Sequence, residues 1–231
     1  MPKNSFQFQQ FLVRQDQCAM KVGTDGTLLG AWARGGQRVL DIGTGTGLIA
    51  LMMAQRYPDA QITGIDIDDG AVRQATINAN ASPFAARITI RKQDCQTMQG
   101  RFDAIVSNPP YFDQSLQCPD EQRTLARHTT SLTYRQLMDA AWQMLDDEGE
   151  FSFIIPSDCK ERLESEALLT GFHKHRECAV KTTPFKSPRR YLLSFCKHAP
   201  DMVERTEGII ELSPNQCSPW YQQLTQAFYI I

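Results

Sequence analysis

The sequence predicts an α/β fold: a mainly parallel seven-stranded sheet, helices on both faces, and an antiparallel hairpin at one edge. Three observations predict it. Short apolar runs alternate with segments whose apolar residues recur at helical spacing. A glycine cluster joins the first such strand to the helix after it. The last two strand-like runs follow one another with no helix between them, so they pair as a hairpin and close the edge.

The elements follow in order. Residues 1–35 form an N-terminal segment in which Gly26 to Arg34 reads as a helix, with Thr24 or Asp25 suited to its N-cap. Arg38 to Asp41 is the first strand, and Leu48 to Arg56 is the helix after the glycines. Gln61 to Ile65 is the second strand, ending in Asp66, and Gly70 to Asn80 is a helix. Arg87 to Arg91 alternates as a third strand. Asp103 to Ser107 is the fourth, stopped by Asn108-Pro109-Pro110-Tyr111, since two prolines continue neither strand nor helix. Tyr111 to Thr133 has little periodicity and reads as a long loop. Tyr134 to Leu145 is an amphipathic helix, Gly149 to Ile155 the fifth strand, and Lys160 to Leu169 a helix. His173 to Lys181 and Arg190 to Cys196 make the hairpin. The chain is expected to be one domain over 1–231, with a core at 36–200 and an extension at 201–231.

Composition excludes several classes. Hydrophobic residues make up 42% and charged residues 22%, enough for an ordinary core. The net charge of -2 requires a nucleic-acid partner to meet a local basic face. No apolar run approaches the ~18 residues of a membrane span, and Met1 to Gln17 does not resemble a signal peptide. The seven cysteines are scattered and odd in number, with no C-x-x-C pair. They predict neither a disulfide framework nor a zinc site, and suit a reducing cytoplasm. No metal and no obligate protein partner is expected.

The glycine cluster carries the first chemistry. Asp41-Ile42-Gly43-Thr44-Gly45-Thr46-Gly47 lies between strand and helix, where glycines let the backbone approach a ligand. A dinucleotide fingerprint needs its third glycine where Leu48 stands, and a P-loop needs a Gly-Lys-Ser/Thr ending. Asp41 would repel a pyrophosphate but suits a cationic ligand without phosphate. S-adenosylmethionine, with its sulfonium and ammonium, is such a ligand. Asp66, at the end of the second strand, can accept both ribose hydroxyls.

Asn108-Pro109-Pro110-Tyr111 carries the second. An exocyclic aromatic amine is a poor nucleophile because its lone pair is delocalised. A site that accepts both amine hydrogens makes the nitrogen more tetrahedral and frees that pair. The Asn108 side-chain oxygen can accept one hydrogen, and the Pro109 carbonyl, held by Pro110, the other. Tyr111 offers a flat face to an extruded base. The nitrogen becomes cationic and loses its proton afterwards, so catalysis is positioning and dipole stabilisation.

These residues carry a resemblance. Val39 to Gly47 resembles motif I of the class I methyltransferases, and Gly64 to Asp68 resembles their ribose-binding motif. The resemblance implies a Rossmann-like fold with Gly43, Thr44, Gly45, Gly47, Asp66 and Ile67 at the cofactor. It places Asp94 and Cys95 at the adenine ring, and Asn108 beside both cofactor and base. Asn-Pro-Pro-Tyr resembles the motif of enzymes that methylate adenine N6, cytosine N4, guanine N2 or a glutamine amide. Lys21-Val22-Gly23-Thr24-Asp25 resembles motif X of the adenine N6 enzymes. That implies Lys21, Thr24 and Asp25 near the methionine end, with Asp25 facing the ammonium.

Charge then narrows the substrate. Between His173 and His198 stand Lys174, Arg176, Lys181, Lys186, Arg189, Arg190 and Lys197, against Glu177 alone. A basic hairpin suits a phosphate backbone. Lys186, Arg189 and Arg190 are expected to contact RNA, joined by Arg127 and His128 from the long loop. Over nearly its whole length the chain is similar to the bacterial tRNA-valine adenine-N6 methyltransferases, through the segments above together with Ala126-Arg127-His128 and Ser187-Pro188-Arg189-Arg190. The resemblance implies tRNA as partner and methylation of the adenosine at position 37. The readings set against it are a guanine-N2 enzyme of ribosomal RNA, an adenine-N6 enzyme of DNA, and an RNA-binding protein that holds the cofactor without turnover.

Overall fold

The computed structural model of the protein describes residues 4–18, 20–109 and 132–230. A hairpin of β1 (Ser5–Gln7) and β2 (Leu12–Arg14) leads to helix α1 (Thr24–Trp32). Then follow β3 (Arg38–Ile42), α2 (Leu48–Arg56), β4 (Gln61–Asp66), α3 (Asp69–Asn80), β5 (Ile88–Lys92) and β6 (Phe102–Ser107). After the undescribed stretch come α4 (Tyr134–Met144), β7 (Leu145–Pro156), α5 (Lys160–Thr170), β8 (His173–Lys181) and β9 (Arg190–Cys196). The chain ends with β10 (Glu204–Ile209), a small hairpin of β11 (Glu211–Ser213) and β12 (Gln216–Cys217), and α6 (Pro219–Thr225).

The central sheet has eight strands in the order β10-β8-β9-β7-β6-β3-β4-β5. The five strands from β7 to β5 run parallel, and β9 turns back against β7 and β8. All seven strands expected from the sequence are present. The eighth, β10, lies parallel to β8 and comes from the extension. Its residues Glu204 to Glu207 are exposed, as on a charged edge strand, so no apolar alternation announced it. The fifth strand starts at Leu145 rather than Gly149, directly at the end of α4.

Two apolar clusters form the core. One joins α1 and α2 to Phe8, Phe11 and Phe228. The other packs α4 and α5 on Phe151, Phe153, Phe172 and Phe195. Every residue of α2 from Leu48 to Ala54 is buried, which its near-continuous apolar sequence requires. Local signals set the helix ends: Asp68 caps α3, Thr133 and Gln136 form a capping box on α4, and Ser218 caps α6 ahead of Pro219. The two ends of the chain dock together. Phe8 stacks on Phe11 and on Tyr229, and the Gln9 N–H donates to the Phe228 carbonyl.

Candidate active site

β3 pairs with β4 on one side and β6 on the other, so the strand order reverses there. Open α/β sheets hold ligands in the crevice beyond the carboxyl ends at such a point. The glycine loop, Asp66, Asp94 and Asn108 all follow carboxyl ends of these neighbouring strands.

Gly43, Gly45 and Gly47 have φ of 72°, 57° and 80°, the left-handed region that disfavours a side chain. The loop is braced on β4, because the Gly43 and Thr44 N–H groups both donate to the Ile65 carbonyl. Asp66 clasps it from the side: Oδ2 accepts from the Gly45 N–H at 3.0 Å and Oδ1 from the Asp68 N–H at 3.0 Å. Each oxygen keeps a lone pair for a hydroxyl donor. Ile67, next in the chain, is 56% exposed, an apolar surface beside that carboxylate.

Asp41 is fully buried. Its Oδ2 accepts from Thr44 Oγ1 at 2.7 Å and from the Ala50 N–H at 3.2 Å. Its Oδ1 is buried with no hydrogen-bond partner among the described residues. Burial pushes the carboxyl up to about 7, against the pull of the Thr44 and Ala50 bonds, and the Asp66 charge adds a smaller push. A half-satisfied buried carboxylate costs stability unless something cationic meets it. The donor set of Asp41, Asp66 and Asp94 around a glycine loop therefore fits a cationic, phosphate-free nucleoside such as S-adenosylmethionine.

The remaining expected residues divide. Asp94 is half-buried and caps the turn after β5, its Oδ1 accepting from the Gln96 N–H. Cys95 is 5% exposed and packs in the core, where burial pushes its thiol up to about 12. Gly23, not Thr24 or Asp25, is the N-cap of α1, and it makes no side-chain cap bond. Lys21 and Thr24 are exposed. Asp25 and Arg190, assigned by sequence to different ligands, meet each other: Arg190 Nε donates to Asp25 Oδ2 at 2.8 Å. Ser107 Oγ donates to the Ile42 carbonyl and holds the end of β6 against the glycine loop. Asn108 is half-buried with no side-chain hydrogen bond among the described residues, and Pro109 is buried. Pro110, Tyr111, Arg127 and His128 lie outside the described residues.

The sequence missed the residues that roof the loop. Asn78 Nδ2 donates to both the Arg14 and Thr46 carbonyls, and the Gln17 N–H donates to Gln74 Oε1. These bonds from α3 lay residues 14–18 over the glycines, with Cys18 Sγ close to Gly45. Two buried polar residues four apart on α3 were the available signal.

A family model, the methyltransferase small domain, matches residues 26–186. The chain belongs to this methyltransferase family. It is 49% identical to a tRNA1(Val) (adenine(37)-N6)-methyltransferase of Phocaeicola vulgatus, over 100% of this chain and 99% of that one. It is 46% identical to the enzyme of the same description from Bacteroides thetaiotaomicron, over 97% of each. Its fold matches a predicted O-methyltransferase from Agrobacterium tumefaciens with a TM-score of 0.70, at 18% identity over 88% of this chain and 96% of that one. The family's class I fold is the doubly wound sheet with an antiparallel edge described above.

The hairpin that reads as basic is mostly neutralised. Lys174 bonds Glu164 and Glu177, Arg176 bonds Glu150, Lys181 pairs with Glu207, Lys197 with Asp147, and Arg190 with Asp25. Lys186 and Arg189, both exposed, make no ion pair among the described residues.

Proposed function

We propose that this methyltransferase transfers the methyl group of S-adenosylmethionine to N6 of the adenosine at position 37 of a valine tRNA. The observation that carries the reaction is the placement of Asn108-Pro109 at the carboxyl end of β6, one strand from the glycine loop. The near full-length likeness to the two relatives above supports the tRNA and its position.

When bound, the cofactor supplies an electrophilic methyl group on a sulfonium. Asp66 holds the ribose hydroxyls, Ile67 and Asp94 border the adenine, and Gly43, Thr44, Gly45 and Gly47 let the backbone close on the rest. Cys95, buried next to Asp94, would contribute there only as apolar packing. Lys21, Thr24 and Asp25 stand at the methionine end. Asn108 Oδ1 and the Pro109 carbonyl each accept a hydrogen of the target amine. They fix its lone pair towards the methyl group and stabilise the positive charge that develops. Pro110 stiffens that carbonyl, and Tyr111 stacks on the extruded base. The amine proton leaves to solvent after transfer, so no strong base is required. Lys186 and Arg189, with Arg127 and His128, meet phosphates, while Arg190 orients Asp25. Residues 1–231 act as one catalytic unit in the cytoplasm, where the cysteines stay reduced.

The test is labelled methyl transfer into RNA lacking this modification, followed by nucleoside mass spectrometry. Label in N6-methyladenosine of one tRNA is the expected result; label in guanine, or none in RNA, would overturn the substrate. Asn108→Ala should lose at least about a hundredfold in kcat, the scale of one removed transition-state acceptor, with cofactor affinity unchanged. Turnover at the wild-type rate would remove Asn108 from the mechanism.

A further inference from the structure

The connection between β8 and β9 carries Thr183-Pro184-Phe185-Lys186-Ser187-Pro188-Arg189. Phe185 is 97% exposed, the most exposed large hydrophobic residue among those described. A phenyl ring held in water forgoes the burial that drives folding. The turn that displays it is pinned. The Lys186 N–H donates to the Thr183 carbonyl at 3.2 Å, Ser157 Oγ to the Pro188 carbonyl at 2.5 Å, and the Ser157 N–H to the Arg189 carbonyl at 3.2 Å. The Arg189 N–H donates to the Val180 carbonyl at 2.9 Å, and Pro184 and Pro188 fix their own φ angles. The ring is thus presented by a built turn.

Its position is equally defined. β8 runs with the parallel strands and β9 against them, so this turn lies on the same edge of the sheet as the glycine loop and Asn108. It stands two to three strands from β6, roughly 10–15 Å. Lys186 and Arg189, the two hairpin cations without an ion pair among the described residues, follow the ring in the same turn, one and four residues on, and both are exposed. An exposed aromatic ring sharing one turn with two available cations is the combination that holds single-stranded nucleic acid, with the base on the ring and the phosphates on the cations.

We infer that Phe185 is a base-stacking residue, which receives an unpaired base of the tRNA loop one or two nucleotides from the methylated adenosine. The inference rests on the tRNA reading above. It makes Phe185 a binding residue distinct from Tyr111, which serves the target base itself.

The test compares wild-type enzyme with Phe185→Ala, Phe185→Leu and Phe185→Trp on tRNA transcripts carrying 2-aminopurine at single anticodon-loop positions. Cofactor affinity serves as the control for folding. Phe185→Ala should raise KM for tRNA roughly 5- to 150-fold, the worth of one base–aromatic stack, with kcat nearly unchanged. It should also abolish the quenching of one fluorescent base, which Phe185→Trp restores and Phe185→Leu does not. Wild-type KM and quenching in Phe185→Ala overturn the inference, as does full rescue by leucine, which would mark a merely apolar contact. If wild-type enzyme quenches the loop through Phe185 yet leaves tRNA unmethylated, the substrate assigned above fails and the stacking role stands. If it neither binds nor methylates the loop, both fail.

Discussion

Replacing Asp41 by asparagine should move stability and cofactor affinity in opposite directions. Burial pushes the Asp41 carboxyl up from the ordinary 3.8 to about 7. That difference of about 3 units corresponds to an upper bound of about 4 kcal/mol spent on holding the carboxylate ionised at pH 8. Relaxation of the loop and entry of water bring the expected gain of Asp41→Asn to about 1–3 kcal/mol, roughly 2–4 °C in Tm per kcal/mol. The asparagine carbonyl can keep the bonds from Thr44 and Ala50, so packing is retained. The sign follows from the raised folded pKa. The favourable contribution of protonated Asp41 is full below about pH 4 and lost as pH rises through about 7. The advantage of the variant should therefore be absent at pH 4 and maximal at pH 8. Cofactor affinity should fall roughly 10- to 100-fold at pH 8, because a cationic ligand loses its anion. Wild-type binding should weaken below pH 7 and release a proton, visible by calorimetry in buffers of different ionisation enthalpy. Urea unfolding of the free protein at pH 4 and 8 gives the first quantity. A variant that is destabilised at both pH values and binds the cofactor normally would make Asp41 only a brace for the loop.

Three further variants test the frame and the exposed tip of the hairpin. A Cβ on Gly64 would lie 2.8 Å from both Thr44 Oγ1 and Ile90 Cδ1. Gly64→Ala should displace Thr44 from Asp41 and cost about 1–3 kcal/mol by urea unfolding, with weakened cofactor binding. Glu150 is pushed up by burial, but its bonds to Arg176 and the charges of Arg176, Arg34 and His175 more than offset this and hold it below its usual value. Its stabilising contribution is present above the usual carboxylate range and lost as pH falls through the depressed value. Glu150→Gln leaves Arg176 buried without its anion and should cost about 3–5 kcal/mol near pH 7, shrinking as acid titrates the wild-type pair. Lys186→Ala with Arg189→Ala should flatten the plot of log Kd for tRNA against log salt by about 1.4, two phosphates at ~0.7 each. An unchanged slope would take the turn off the RNA path.

The fold was legible where burial wrote a period into the chain. The parallel strands are buried on both faces and read as short apolar runs, and α2 is apolar because every face of it is covered. The ends of the chain were less legible for physical reasons. β10 is an edge strand with one buried residue, Gly208, where a side chain would collide with Trp220, so it carries almost no apolar signal. The N-terminal hairpin did leave a trace in Phe6, Phe8 and Phe11, but a three-residue strand gains its stability from the distant Tyr229 and Phe228, which no local window contains. The cap of α1 was misplaced because Thr24 and Asp25 have the right side chains for it. Asp25 is instead drawn to Arg190, 165 residues away, and the helix starts from the extended backbone of Gly23.

The glycine loop was legible because its geometry is local: three glycines take positive φ within five residues, and Asp41 and Asp66 lie at the carboxyl ends of the adjacent strands β3 and β4. The charge of the hairpin was legible only in outline, because charge in a sequence is counted and charge in a fold is paired. Five of the seven hairpin cations are met by carboxylates from other elements, four of them by Glu150 and Asp147 on β7, Glu164 on α5 and Glu207 on β10. The fifth, Arg190, meets Asp25 from the opposite end of the chain. What remains unpaired among the described residues is the tip, Lys186 and Arg189, with the exposed phenyl ring of Phe185 in the same turn. A face that looks broadly basic thereby contracts to a small, defined patch, which suits a molecule of net charge -2 and, on the function proposed above, a contact to one RNA loop rather than to any polyanion.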